Sequence, residues 1–147
     1  KFELVAWSQG EVRHNVWYSK SNDAASPARQ RMMYVVGKAL DLEHALRGVA
    51  KATKKKAYAV SMAKRAAAAR KALKAVAKAI KAPEVNDMVK AGGGAKLKLN
   101  NAAALTAAAD KVAAAAKAFA AAHDGGAFGG IDALLPDAGA YKGKASK

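Results

Sequence analysis

Lysines recur at a spacing of seven within one long stretch that contains no acid. Residues 51–83 hold eleven Lys and Arg and no Asp or Glu. Lys64, Lys71 and Lys78 fall at sevenfold spacing, which places them on one face of a helix. Clustered ammonium groups bind anions such as carboxylates and phosphates. The chemistry that these residues predict is docking onto a negatively charged partner.

A face that only has to stay in water is the alternative. Such a face gains from Glu–Lys pairs four residues apart, and this stretch has none. Repulsion among its lysines lowers the stability of the helix unless a bound anion neutralises their charge. A docking face and a solvated face both stay open. The candidate docking lysines are Lys54, Lys55, Lys56, Lys64, Lys71, Lys74, Lys78 and Lys81.

Aromatic residues in the first 25 positions form a second candidate site. Both tryptophans, Trp7 and Trp17, lie there, and Tyr18 follows the second. Trp and Tyr are enriched in the hot spots of protein interfaces. We expect these three side chains either to anchor a partner or to pack on the protein's own helices.

Catalytic and metal-binding patterns are missing from the sequence. His14, His44 and His123 lie on three separate segments with no shared spacing, and there is no cysteine. The glycine-rich GGGAKLKLN lacks the GK[ST] ending of a phosphate loop. The sequence therefore predicts no enzyme activity, no catalytic residue, no metal site and no cofactor.

Charge is the strongest feature of the composition. The 147 residues carry a formal net charge of +15, with a pI near 10.1. This balance implies a negative partner, which could be nucleic acid, an anionic membrane or an acidic protein surface. No run of 18 apolar residues occurs, so we expect no transmembrane segment.

Two apolar stripes predict two long helices. Ser26 and Pro27 make a good helix start, and a sevenfold apolar row then predicts a helix over residues 27–53. The stripe that contains Leu73 predicts another over residues 56–82. The two stripes would face opposite sides of one straight helix, so we predict a break near Thr53–Lys56. One continuous helix between partners stays the alternative.

The remaining elements complete an all-α fold. Pro83 precedes a short helix over residues 84–91, which Gly92–Gly94 should stop. A third long helix is predicted over residues 101–123, and IDALLP predicts one docked turn. The fold class is an up-down antiparallel bundle of three long helices and a short one. We divide the chain into an irregular arm (1–25), the bundle (26–123) and a Gly-rich basic tail (124–147).

The residue types favour a protein partner over the other anions. The basic residues are mostly lysine, whereas base reading favours the bidentate fork of arginine. No aromatic side chain interleaves with the lysines to stack on bases. The apolar stripe lacks the Trp and Phe of an interfacial membrane helix. Non-specific nucleic-acid binding, histone-like or ribosome-associated, stays the alternative, with a nuclear or ribosomal location.

Three segments together resemble a known family. They are SPARQRMMYVVGKALDLEHALRGVAKA, YAVSMAKRAAAARKALKAVAKAIKAP and NNAAALTAAADKVAAAAKAFAAA. As Lys- and Ala-rich helices without cysteine behind an irregular arm, they resemble the PsbQ family of extrinsic photosystem II proteins, including the PsbQ-prime forms. The resemblance implies a four-helix bundle that docks electrostatically on an acidic surface of a membrane complex in the thylakoid lumen of the chloroplast. It also implies a stabilising subunit that helps to retain the ions of the water-oxidising site without catalysing a reaction.

Overall fold

The computed structural model of the protein describes residues 2–10 and 23–143, and all regular structure in those ranges is helical. The helices are α1 (Leu4–Ser8), α2 (Pro27–Lys51), α3 (Ala57–Ala79), α4 (Pro83–Gly94) and α5 (Ala102–Ala122). Short 3-10 helices follow at Gly129–Leu134 and Ala138–Ala140. The predicted set of three long helices and one short helix is confirmed.

The predicted break between the first two long helices is also confirmed, because α2 ends at Lys51 and α3 begins at Ala57. One continuous helix is therefore wrong. The end of α3 lies at Ala79, three residues before the predicted end. Ile80 and Ala82 have extended backbones, which the steric demand of Pro83 on the residue before it favours at Ala82.

The glycine triplet does not stop the short helix where the sequence predicted. Helix α4 continues through Gly92 and Gly93 and ends at Gly94, and Ala95 then becomes extended. Gly92 is buried, and a Cβ atom there would lie 2.4 Å from Cδ2 of Leu42. Close packing against α2 therefore fixes the helix at this point, which overrides the low helix propensity of glycine.

The chain forms two compact units. The terminal unit comprises Lys1–Gly37 and His123–Lys147, and the central unit comprises Lys38–Ala122. Helix α2 contributes its first residues to the terminal unit and its remaining residues to the central unit. Each unit has its own buried residues.

Arg31 organises the second half of the terminal unit. Its Nε and Nη2 donate hydrogen bonds to Oδ1 and Oδ2 of Asp132, at 2.6 and 2.7 Å. Its Nη1 donates to the carbonyl oxygens of Gly125 and Gly126, both at 3.2 Å. Ile131 is fully buried beside them. The predicted IDALLP turn is therefore present and is fastened to α2 through one guanidinium group.

The first half of the terminal unit contains the short helix α1, within the region that the sequence predicted as an irregular arm. Glu3 caps α1 by accepting a hydrogen bond from the backbone N–H of Ala6 at 2.8 Å. Gln9 is buried, and its Oε1 accepts from the backbone N–H of Ala25 at 2.8 Å. The backbone N–H of Lys142 donates to the Ala6 carbonyl at 3.0 Å. Both ends of the described chain thus meet within this unit.

The core of the central unit is thin and rich in alanine. Helix α4 packs against both α3 and α5. Most members of the predicted stripes in this unit are buried, although Met62 is only half-buried and Thr53 is exposed. The buried members include Ala39, Leu42, Leu46, Val49, Ala66, Leu73, Val76, Leu105, Ala109, Val112 and Phe119. Because alanine buries little apolar area, the few Leu, Val and Phe side chains supply most of the hydrophobic stabilisation.

Substitution of Gly125 by alanine should strongly destabilise the terminal unit. Gly125 has a positive φ of 87°, and a Cβ atom there would lie 2.1 Å from the backbone oxygen of Ala28. We expect a loss of about 2 kcal/mol or more in the free energy of unfolding, measured with urea. Gly93→Ala is the control, since Gly93 is helical and open, and it should stabilise slightly. Equal effects of the two substitutions would contradict this view.

The ion pair of Asp132 predicts a pH dependence. Its hydrogen bonds from Arg31 lower the pKa of Asp132 below the ordinary value of 3.8. The stabilisation is therefore complete above about pH 4 and is lost as the pH falls through the lower folded pKa. Asp132→Asn should flatten the fall in stability below pH 4, measured by thermal unfolding. Asp87→Asn, at an exposed site, should keep the wild-type slope.

Candidate functional site

Four lysines of α3 form an exposed row, here named the lysine face. They are Lys64, Lys71, Lys74 and Lys78, and all are exposed. The opposite side of α3 carries the buried Ala66, Leu73 and Val76. From Lys64 to Lys78 the row extends about 21 Å at the rise of an α-helix. The structure therefore brings together these four predicted docking residues on one surface.

Three of the five carboxylates of the central unit are paired with arginines and not with this face. Arg65 binds Asp41, with its Nε 3.1 Å from Oδ1. Arg47 binds Glu43 at 3.0 Å and Asp110 at 2.8 Å. Arginine suits these sites because its planar fork can hold carboxylates with several donors. Within residues 2–10 and 23–143, no lysine of the lysine face has an ion-pair partner.

Electrostatics strengthen this division of roles. The hydrogen bonds from Arg47 to Asp110 and then to Glu43 raise the pKa of Arg47. Residues 38–122 contain eighteen Lys and Arg against five Asp and Glu, and three of those acids are held by the two arginines. The lysine face therefore presents a positive field that the neighbouring acids do not neutralise.

The connection between α2 and α3 carries a second group of lysines, here named the lysine turn. It consists of Lys51, Lys54, Lys55 and Lys56, all exposed. The backbone N–H of Lys56 donates to the Lys54 carbonyl at 2.9 Å, which makes the connection compact. Lys81 is exposed but lies beyond the end of α3. Its expected place in the helical row is therefore wrong, because the chain is extended from Ile80.

The aromatic candidates are only partly described. Trp7 lies on α1, remains 48% exposed and contacts the exposed Phe2, with ring centroids 5.9 Å apart. Trp17 and Tyr18 lie outside the described residues. The role of Trp7 in docking thus stays a prediction. About half of Trp7 is accessible to a partner.

Sequence reasoning missed Arg70, which has a structural role. Its Nη2 donates a hydrogen bond to the carbonyl oxygen of Ala95 at 2.7 Å, which ties α3 to the segment after α4. Its Nε is buried and has no hydrogen-bond partner within the described part of the chain. Burial lowers the pKa of Arg70. Its helical position, between the buried stripe and the lysine face, was the signal that could have identified it.

A groove between α4 and α5 was also missed. Its volume is about 810 Å³, and alanines form most of its lining. The charged side chains at the groove are Asp87, Lys90 and Lys111. The sequence signal for this groove was alanine at many exposed positions of α5. Alanine at such positions can also be explained by its high helix propensity alone.

Histidines remain dispersed in the structure. His44 is exposed on α2, and His123 contacts the edge of Phe128 at a centroid distance of 5.0 Å. His14 lies outside the described residues. Within residues 2–10 and 23–143, no group of three His, Cys, Asp or Glu could hold a metal ion. In the same ranges, none of the helices combines the length and apolarity needed to cross a membrane.

Comparison with known proteins finds no match to any family model, curated protein or solved structure. The resemblance to the PsbQ family stays a prediction from the sequence.

Unpaired lysines predict that the protein is stabilised by salt. Replacing Lys64, Lys71, Lys74 and Lys78 by glutamine (the lysine-face variant) should raise the free energy of unfolding by up to about 1 kcal/mol at low salt. The gain should shrink at high salt, because ions screen the same repulsion. Urea unfolding at several NaCl concentrations measures this difference.

A control variant carries Gln at Lys90, Lys98, Lys111 and Lys117, which are exposed outside α3. It removes the same charge from less crowded positions and should gain less stability. If the lysine-face variant were less stable than wild type at low salt, the lysines would be part of an internal network and not unpaired.

Proposed function

We propose that the protein is a non-catalytic docking subunit, and that its lysine face binds an acidic surface of another protein in a larger assembly. One observation carries this proposal. The four lysines are exposed and unpaired within the described chain, while arginines hold nearby acids. A folded chain that pairs its acids elsewhere keeps this row available for an external anion.

The form of the row supports a protein partner. Lysines spread over about 21 Å of a helix match scattered carboxylates, each pair contributing about 0.2–1 kcal/mol at a wet interface. Their long-range field also speeds association. The exposed large apolar residues of α3 are Tyr58 and Val60, and neither lies between Lys64 and Lys78. The row therefore lacks the aromatic platforms that single-stranded nucleic acids use.

The detailed bundle topology is part of the same proposal. We infer an up-down antiparallel arrangement in the central unit. Asp41 of α2 contacts Arg65 of α3, and Gly48, seven residues further along α2, lies against Met62, which precedes Arg65 on α3. Helices α2 and α3 therefore run in opposite directions. Connections of five, three and seven residues join α2 to α5, which suits antiparallel neighbours. The resemblance to the PsbQ family implies the same arrangement.

The identity of the assembly rests on that resemblance alone. The resemblance implies that the acidic partner is a lumenal surface of photosystem II and that the protein is located in the thylakoid lumen of the chloroplast. A catalytic function is not part of the proposal, because the histidines are dispersed and the described acids at Asp41, Glu43 and Asp110 are engaged with arginines.

Neutralising the lysine face should abolish most of the docking. We expect the lysine-face variant to bind its partner roughly thirtyfold more weakly, from four exposed pairs at about 0.5 kcal/mol each. The control variant should stay near wild type. The measurement is a low-salt pull-down from the source cells with each variant, in which proteins and nucleic acids are quantified in the same eluate.

Nuclease treatment and a salt wash complete this experiment. Release of one membrane complex by salt, with no effect of nuclease, is the expected result. Recovery that disappears with nuclease would contradict the proposal and favour non-specific phosphate binding. Equal losses in the lysine-face and control variants would show that only net charge matters.

A further inference from the structure

Four exposed lysines within six residues make the lysine turn the densest positive cluster among the described residues. Lys51 ends α2, and Lys54, Lys55 and Lys56 occupy the connection to α3. None of the four has an ion-pair partner in the described ranges. In sequence, the nearest acids are Glu43 and Glu84, and Glu43 is already bound to Arg47. The charge of the turn is thus uncompensated.

One amphipathic side chain lies beside this charge. Tyr58 is 56% exposed and lies in the first turn of α3. Side chains of a helix tilt toward its N-terminus, which here is the lysine turn. The Tyr58 hydroxyl lies against Gly48 of α2, and more than half of the residue stays exposed next to the lysine turn. A tyrosine ring suits the boundary between lipid and water.

We propose that the lysine turn, together with Tyr58, docks on an anionic lipid surface. Clustered lysines suit such a surface because mobile headgroups can gather around them, whereas a protein surface offers carboxylates at fixed positions. The turn has no arginine, and lysine acts as a flexible point charge without a required geometry. Tyr58 adds a shallow apolar contact at the headgroup level.

This surface is separate from the lysine face. The lipid-binding surface uses none of Lys64, Lys71, Lys74 and Lys78. It would therefore bind lipid even if α3 bound no protein. Conversely, a protein partner on α3 would leave the lysine turn available for lipid. Membrane and partner surfaces could then both contribute to the retention of the protein at a membrane complex.

Vesicle sedimentation tests the proposal directly. The probes are vesicles of phosphatidylcholine alone and vesicles with about one third phosphatidylglycerol, at low salt. Wild type should partition onto the anionic vesicles and not onto the neutral ones. Gln at Lys51, Lys54, Lys55 and Lys56 should lower the partition coefficient roughly several hundredfold, at about 1 kcal/mol per lysine and 1.4 kcal/mol per tenfold.

The lysine-face variant is the matched control, because it removes the same charge. It should lose less than about tenfold, since interactions with the surface potential fall off within a Debye length. Tyr58→Ala should weaken the binding severalfold and make the remainder more sensitive to salt. Circular dichroism of each variant checks that the helices persist.

Three results would overturn the proposal. The first is equal binding of wild type to neutral and anionic vesicles. The second is an equal loss in the two lysine variants, which would mean that net charge alone drives binding. The third is displacement by inorganic phosphate beyond that by chloride at equal ionic strength, which would indicate a discrete phosphate site. Because the vesicles contain no protein, these results leave the docking role of the lysine face unaffected.

Discussion

Repulsion among positive charges is the constraint on which the central unit depends. Eighteen cationic side chains and five acids share residues 38–122, and the core that opposes their repulsion is built largely from alanine. The structure manages this charge by position. Most leucine and valine side chains and Phe119 are buried, Arg47 and Arg65 hold carboxylates, and lysines extend into water. Long lysine stems separate their charges in solvent, where repulsion is weakest. The same arrangement leaves a lysine face that can be stabilised by an external anion.

Arginine and lysine therefore have different roles in this chain. Arg31, Arg47 and Arg65 join separate segments through charged hydrogen bonds, and Arg70 joins α3 to a backbone carbonyl. Arginine can do this because its guanidinium group offers several donors in one plane. The lysines of the face and of the turn make no such joins within the described chain. Our proposal that the lysines bind an external partner would explain the acid-free stretch. A general need for solubility would not, since interspersed acids would serve it as well.

Helix positions could be predicted from the sequence because apolar periodicity and proline are local signals. The break after Lys51 followed from two stripes that a straight helix would place on opposite sides, and Pro27 and Pro83 marked helix starts. Glycine misled at Gly92, where packing against Leu42 decides the conformation. The lysine face could be predicted because its sevenfold spacing is a helical pattern. The ion pairs of Arg31 with Asp132, 101 residues apart, and of Arg47 with Asp110 could not be predicted, since no local pattern specifies which distant acid an arginine binds.

Docking through the lysine face is the central claim, and zero-length cross-linking tests it most directly. A carbodiimide joins a lysine to a carboxylate only when the two groups are in contact, and mass spectrometry then identifies the joined residues. The carbodiimide is applied to the protein bound in its native assembly at low salt. The account predicts cross-links to Asp or Glu of one partner protein from Lys64, Lys71, Lys74 and Lys78. Cross-links confined to Lys90, Lys98, Lys111 and Lys117, or spread evenly over all exposed lysines, would contradict it.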